Sequence, residues 1–196
     1  MYAILIAGAP ACGKTTLARR LSGELRIPAV SKDDIKELLF DAAGFRSREE
    51  KVALGRGSEQ ILYYFAGRLL DAGQPVILEN NFESSSQEGL SRLFAPRGCR
   101  TLTLLLQAPA DALYARYLQR EKSPERHPGH IHNTSYPPPA GAPAPSPLTR
   151  EQFLSGIARR GMADFHFGQT LTVDATFPER IDIPALAAAI RSWAEG

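Results

Sequence analysis

The chemistry in this sequence is densest near its start, where Gly8-Ala9-Pro10-Ala11-Cys12-Gly13-Lys14-Thr15, followed by Thr16, reads G-x-x-x-x-G-K-[ST]. Glycine and small residues let the main chain curl until successive N–H groups point inward at anionic oxygens. A helix beginning at Gly13 adds the positive end of its dipole to the same spot. Lys14 supplies a mobile positive charge for the β- and γ-phosphates of a nucleotide, and the Thr15 hydroxyl suits Mg²⁺. Cys12 reads as a small loop residue rather than a redox switch. Further along lie a pair of carboxylates, Asp33 and Asp34, then the run Glu79-Asn80-Asn81, and then two arginines four apart, Arg116 and Arg120. Three closely spaced histidines, His127, His130 and His132, complete the set.

These groups need elements to hold them. Short apolar runs alternate with longer amphipathic stretches, the pattern of a parallel α/β sheet. Strands are expected at Tyr2–Ala7, Ala29–Val30, Val76–Leu78, Thr101–Leu106 and Thr170–Val173. Helices are expected from Gly13 to about Leu25, at Asp33–Phe40, Arg48–Asp71, Ser84–Phe94, Asp111–Glu121, Arg150–Met162 and Ile183–Ala194. The cradle therefore falls between the first strand and first helix. Asp33 follows the short second strand, and Glu79 ends the third. Spacing of four places Arg116 and Arg120 on one flank of their helix.

Composition sets outer bounds. A chain of 196 residues with 43% hydrophobic and 22% charged residues can bury one ordinary core without disulfides, so a single domain over 1–196 is expected. The net charge of +2 neither demands nor excludes nucleic acid. Cys12 leaves one strand and Cys99 precedes another, ends that are roughly 17–20 Å apart and too distant for a disulfide. The apolar start is too short and has the wrong flanks for a signal peptide. No run approaches the roughly 20 apolar residues a bilayer needs, so no membrane contact and a cytoplasmic address are expected.

A phosphate cradle serves switch GTPases and kinases alike. Ser31-Lys32-Asp33-Asp34 lies too early to read a guanine, and Asp41-Ala42-Ala43-Gly44 falls at a helix end, so the GTPase reading fails. What remains resembles the P-loop kinases, most closely the branch of polynucleotide 5′-hydroxyl kinases, chloramphenicol phosphotransferase and zeta toxins. The resemblance implies a three-layer P-loop NTPase fold with a five-stranded parallel sheet in the order 2-3-1-4-5 and a lid. It implies ATP and Mg²⁺ as the nucleotide and metal.

Residue roles follow by the same resemblance. The segment Ser31-Lys32-Asp33-Asp34-Ile35-Lys36 is similar to one whose first aspartate takes the proton of an attacking hydroxyl, making Asp33 the general base. Helix capping by Asp33 or Asp34 is the plainer alternative. Lys36 falls where the family carries an arginine for substrate phosphate. Glu79 takes the place of the metal-side carboxylate, usually an aspartate, and Asn81 matches a family asparagine that meets substrate. Arg116 leads into the lid and is expected to bind substrate, and Arg120 corresponds to the arginine that neutralises the transferring phosphoryl group, a task suited to its rigid fork. The Thr172–Thr176 turn would border the adenine.

The span from about residue 122 to 148 has no period and carries six prolines between Pro137 and Pro147. Such a loop is a lid or a disordered segment. Its histidine-bearing front is read as the lid, with His127 and His130 meeting acceptor or phosphates, and its rear as a flexible tip. Zinc binding would need a further ligand from elsewhere in the chain. The expected reaction is transfer of the ATP γ-phosphoryl group to a hydroxyl of a small-molecule or nucleoside-type acceptor. A polynucleotide 5′-end is the alternative, with Lys32, Lys36, Arg46, Arg48 and Lys51 available to form a basic groove. A non-catalytic regulatory ATP-binding protein is the third reading.

Overall fold

The computed structural model describes residues 1–143 and 145–196. Its centre is a five-stranded, wholly parallel sheet in the order β2-β3-β1-β4-β5, formed by β1 (Tyr2–Gly8), β2 (Ala29–Ser31), β3 (Val76–Glu79), β4 (Arg100–Gln107) and β5 (Gln169–Asp174). This is the order expected from the resemblance. The register pairs Ile4 with Ile77 on one side and with Leu102 on the other.

Alternation along β1 splits the core into two layers, as the pleat requires. Ile4 and Ile6 join one cluster with Leu17 and Leu21 of α1 (Lys14–Leu25), Leu113 of α5 (Ala110–Glu121), Ile157 of α7 (Arg150–Arg159) and Ile190 of α8 (Ile183–Glu195). Ala3, Leu5 and Ala7 face the other way, toward Leu62, Ala66 and Leu70 of α3 (Arg48–Asp71) and Leu90 of α4 (Ser86–Phe94). Burying both faces accounts for the near-continuous apolar strands. Among the described residues no helix is long and apolar enough to cross a membrane.

The elements end within a few residues of their expected limits, with physical reasons for the differences. The seventh helix stops at Arg159 instead of Met162 because Gly161 takes a left-handed φ of 65° and its N–H bonds back to Ala158 O. The fourth begins at Ser86 rather than Ser84, since Glu83 N donates to Ser86 Oγ in a turn of its own. A one-turn helix, α6 (Pro128–Ile131), was not anticipated within the lid. Its signal is Pro128 at the first helical position, preceded by His127, whose Nδ1 accepts from Gly129 N.

The lid lies across α2 (Lys32–Ala43) and the start of α3. Phe45 and Tyr136 pair by an antiparallel bridge, and Lys51 Nζ donates to His130 O, His132 O and Asn133 Oδ1 at 3.2, 2.6 and 3.0 Å. The proline-rich segment runs over an exposed surface and then returns to the domain, where Leu148 N donates to the Tyr117 hydroxyl and Tyr114 donates to Leu148 O. Residue 144 of that segment lies outside the described residues.

Candidate functional site

The first strand ends in a tight curl. Gly8, Ala11 and Gly13 all take positive φ, at 135°, 65° and 93°. Gly8 cannot be replaced at small cost, because a Cβ there would sit 2.6 Å from Leu106 O of the neighbouring strand. The backbone N–H groups of the turn precede the first turn of α1, whose own amides have no intrahelical partner. Lys14 is buried and its Nζ donates to Ala9 O at 2.8 Å, so the ammonium lies folded over the loop that it serves.

Glu79 closes the far side of this loop. It is buried at the end of β3, and its Oε2 accepts from Ser31 Oγ at 2.6 Å and from Thr15 Oγ1 at 3.3 Å. Burial raises its pKa above the usual carboxylate range, against the opposing pull of Lys14 and the hydroxyls. A buried carboxylate beside a hydroxyl offers hard oxygen donors of the kind Mg²⁺ takes. Thr15 and Glu79 therefore fit that ion.

The helix α2 begins at Ser31, whose side chain accepts from Asp34 N at 3.4 Å while donating to Glu79. The cap is therefore Ser31 rather than either aspartate, and Asp33 is left free to line the cavity. Burial tends to raise the Asp33 pKa, but His130, Lys36, Lys14 and Lys32 outweigh it and hold the carboxyl below its usual range. The His130 pKa is itself lowered, first by burial. Asp33 is consequently ionised at neutral pH.

One cavity of about 620 Å³ brings these groups together. Around it stand Pro10, Ala11, Gly13, Lys14, Thr15 and Thr16 of the cradle, with Asp33, Lys36, Glu79, Asn81, Arg116, Arg120 and His130. Gly8, Ala9 and Cys12 do not line it: Ala9 and Cys12 are buried in the core beneath the loop. Arg120 reaches in with its Nε buried and without a hydrogen-bond partner among the described residues. Burial and then the nearby Arg126 charge depress its pKa, although Asp33 and Glu121 oppose them. It is a cation held ready for an anion.

His127 and Arg116 make contacts that their spacing in the sequence did not indicate. His127 does not line the cavity: its ring bonds Asp41 Oδ1 at 3.0 Å and caps α6, so it docks the lid onto α2. Only His130 of the pair faces the cavity, with its Nε2 2.9 Å from Glu37 Oε1. Arg116 lines the cavity but spends its donors on main-chain oxygens, at 3.3 Å to Ala11 O, 2.9 Å to Ala175 O and 3.0 Å to Thr176 O. It ties the cradle to the turn after β5, a bracing role in addition to any contact with ligand. Sequence reasoning missed Ser31, Arg126 and Arg160. Ser31 carried a readable signal, a hydroxyl residue three places before a carboxylate-rich helical turn. The two arginines belong to no motif and are brought in only by tertiary structure.

Comparison with known proteins agrees with this fold. The family model described as an AAA domain matches residues 4–134. Among solved structures, a provisionally assigned kinase from Chloroflexus aurantiacus is 34% identical, with 97% of each chain covered and a TM-score of 0.79. A sugar kinase from Janibacter sp. is 16% identical, covering 100% of this chain and 95% of the other at a TM-score of 0.56. Shikimate kinase from Bacteroides thetaiotaomicron is 15% identical, covering 100% and 99% at 0.55. At those identities the last two show a shared fold. No curated protein sequence matches the chain. With a glycine-rich cradle, the 2-3-1-4-5 sheet and a family match across two thirds of its length, the chain belongs to the AAA-domain family of P-loop kinase-like NTPases.

Proposed function

We propose that the protein is an ATP-dependent kinase that moves the γ-phosphoryl group to a hydroxyl of a small-molecule acceptor. The observation carrying this reading is that Asp33, the cradle residues Lys14 and Thr15, and Arg120, whose Nε has no partner among the described residues, line one cavity. An ATPase that merely binds nucleotide has no need of an ionised carboxylate facing its cradle.

In this mechanism the main-chain N–H groups from Ala11 to Thr16 hold the phosphate oxygens. Lys14 leaves Ala9 O for the β- and γ-phosphates, and Asp33 accepts the hydroxyl proton of the acceptor. The acceptor oxygen bonds to the γ-phosphorus as the bond to the bridging oxygen breaks, and ADP leaves. Arg120 meets the charge that spreads over the transferring group, a preorganised contact that costs little rearrangement. Thr15 and Glu79 would hold Mg²⁺, which supplies neutralising charge to the phosphates. The lid excludes water, so the phosphoryl group passes to the acceptor rather than to solvent.

A polynucleotide acceptor is less well supported. Lys51, one of the cations that would have formed a strand-binding groove, is consumed by the lid carbonyls of His130 and His132. A cavity of this volume is typical of small-ligand sites. The test is transfer from γ-labelled ATP to a panel of hydroxyl compounds and 5′-hydroxyl oligonucleotides. The Asp33→Asn variant should retain ATP binding and lose transfer by about 10²–10⁴-fold, the usual contribution of a general base. Equal ATP consumption by parent and variant, with label found only in inorganic phosphate, would favour the regulatory reading instead.

A further inference from the structure

The acceptor side of the cavity has more positive charge than the reaction at Asp33 requires. Lys36, Arg48, Arg126 and Arg160 line it, from α2, α3, the start of the lid and the end of α7. Two of the four have acidic partners. Arg126 Nε lies 3.2 Å from Glu121 Oε1, and Arg160 Nη1 lies 3.3 Å from Glu83 Oε1. Among the described residues Lys36 and Arg48 make no ion pair within 4 Å.

Lys36 and Arg160 are held in place. Lys36 runs beneath α3 where Gly55 leaves room, since a Cβ at 55 would stand 3.4 Å from its Cε and 3.7 Å from its Nζ. Its Nζ lies 5.4 Å from the centre of the Phe40 ring. Arg160 is fixed at its main chain by Ser84 N donating to its carbonyl at 3.0 Å, and at its side chain by Nε donating to Gly156 O at 3.0 Å. The crowding has an energetic sign. Burial lowers the Lys36 pKa first, and Lys32, Arg126 and Arg160 lower it further against Asp33. Lys51, just behind, is pushed down to about 8 by burial and by Lys36, Arg126 and Arg48, with Glu121 opposing. Like charges gathered this way are costly unless a ligand answers them.

We propose that the acceptor is a small hydroxy compound bearing a carboxylate or phosphate, with its hydroxyl at Asp33 and its anionic group against Lys36, Arg126 and Arg160. This inference rests on the kinase reading and names its substrate class. Guanidinium and ammonium together suit either oxyanion. Asn81, which also lines the cavity, can bond the neutral part of the molecule. The same cavity must also hold a triphosphate, so the acceptor has only part of its volume.

The test pairs binding with turnover. The protein is saturated with a non-hydrolysable ATP analogue and Mg²⁺, so that the cradle is filled. Matched probes are then added: glycerate against glycerol, ribose 5-phosphate against ribose, and sulfate alone as a bare oxyanion. At least one anionic probe should raise the melting temperature where its neutral match does not. The Arg160→Gln and Lys36→Met variants should weaken that effect about tenfold or more in apparent Kd, as expected for a charge-assisted contact, and Arg160→Lys should restore part of it. Retained ATP-analogue binding certifies that each variant is folded. In turnover with γ-labelled ATP the loss should appear in acceptor KM more than in kcat. The inference is overturned if neutral and anionic probes bind alike, if the variants bind anions as well as the parent does, or if label enters only 5′-hydroxyl oligonucleotides. Anion binding without transfer to any acceptor would uphold the anion site while removing the kinase reading beneath it.

Discussion

Arg120→Met should make the protein more stable and nearly inactive at once. The guanidinium is mostly enclosed, its Nε has no hydrogen-bond partner among the described residues, and the surroundings depress its pKa despite Asp33 and Glu121. A buried donor left unsatisfied costs about 1–3 kcal/mol. Methionine keeps most of the apolar stem, so its packing is largely conserved. For a chain of 196 residues each kcal/mol moves the melting temperature by roughly 2–4 °C, which gives a rise of about 2–12 °C. The same change removes a cation aimed at the transferring phosphoryl group, and loss of one such contact costs about 10²–10³ in kcat. Thermal unfolding of nucleotide-free protein and single-turnover transfer measure the two effects separately. A variant that melts lower than the parent would show that Arg120 is stabilised by its surroundings, and would refute the idea that it waits for charge.

Other consequences concern the elements that position the site. Gly129→Ala puts a methyl group into the Phe40 ring and against His127 Nδ1, so the lid should undock at a cost of about 1–3 kcal/mol. Faster proteolysis between residues 123 and 148 and a raised acceptor KM, with ATP affinity little changed, would register it; unchanged cleavage would contradict it. Ser31→Ala removes both the α2 cap and a donor to the buried Glu79, and should destabilise the fold by about 2–3 kcal/mol in urea unfolding. A loss below 0.5 kcal/mol, a bound far under either estimate, would mean that the contact with Glu79 contributes roughly nothing. Lys51 supplies a pH signature. With its folded pKa at about 8 and its unfolded value near 10.5, the unfolded chain holds more protons between those limits, so stability from this group rises with pH there. The stability of the parent relative to Lys51→Met should therefore improve from pH 8 to 10.5, with a slope of at most about 1.4 kcal/mol per pH unit, less the screening by solvent that reaches the ammonium. A flat or falling difference would place the ammonium in an environment that favours its charge.

Much of the fold could be read from the sequence because the strongest signals were local. The strand Tyr2–Gly8, the curl after it and the periodic faces of α3 and α8 are set by neighbouring residues, and the structure shows them where periodicity puts them. The chemical groups near those elements were legible too: Lys14, Thr15, Asp33, Glu79 and Arg120 meet in one cavity. What escaped depends on contacts between distant segments. His127 and His130 both pack against Phe40, yet one ring bonds Asp41 and the other bonds Glu37 and faces the cavity, partners that only the docking of the lid on α2 supplies. Arg116, expected to bind substrate, also braces the cradle, because the fold brings Ala175 O and Thr176 O within its reach. Arg160 lies forty residues beyond Arg120, in no motif, and enters the site because α7 packs beside α5 through Phe153 and Tyr117.

The most direct test of the account is a crystal structure with a non-hydrolysable ATP analogue and Mg²⁺. The account predicts the triphosphate within the curl from Gly8 to Thr16, Lys14 drawn off Ala9 O, and the γ-phosphate between Arg120 and Asp33. A triphosphate seated elsewhere, or a γ-phosphate facing away from Asp33, would contradict it.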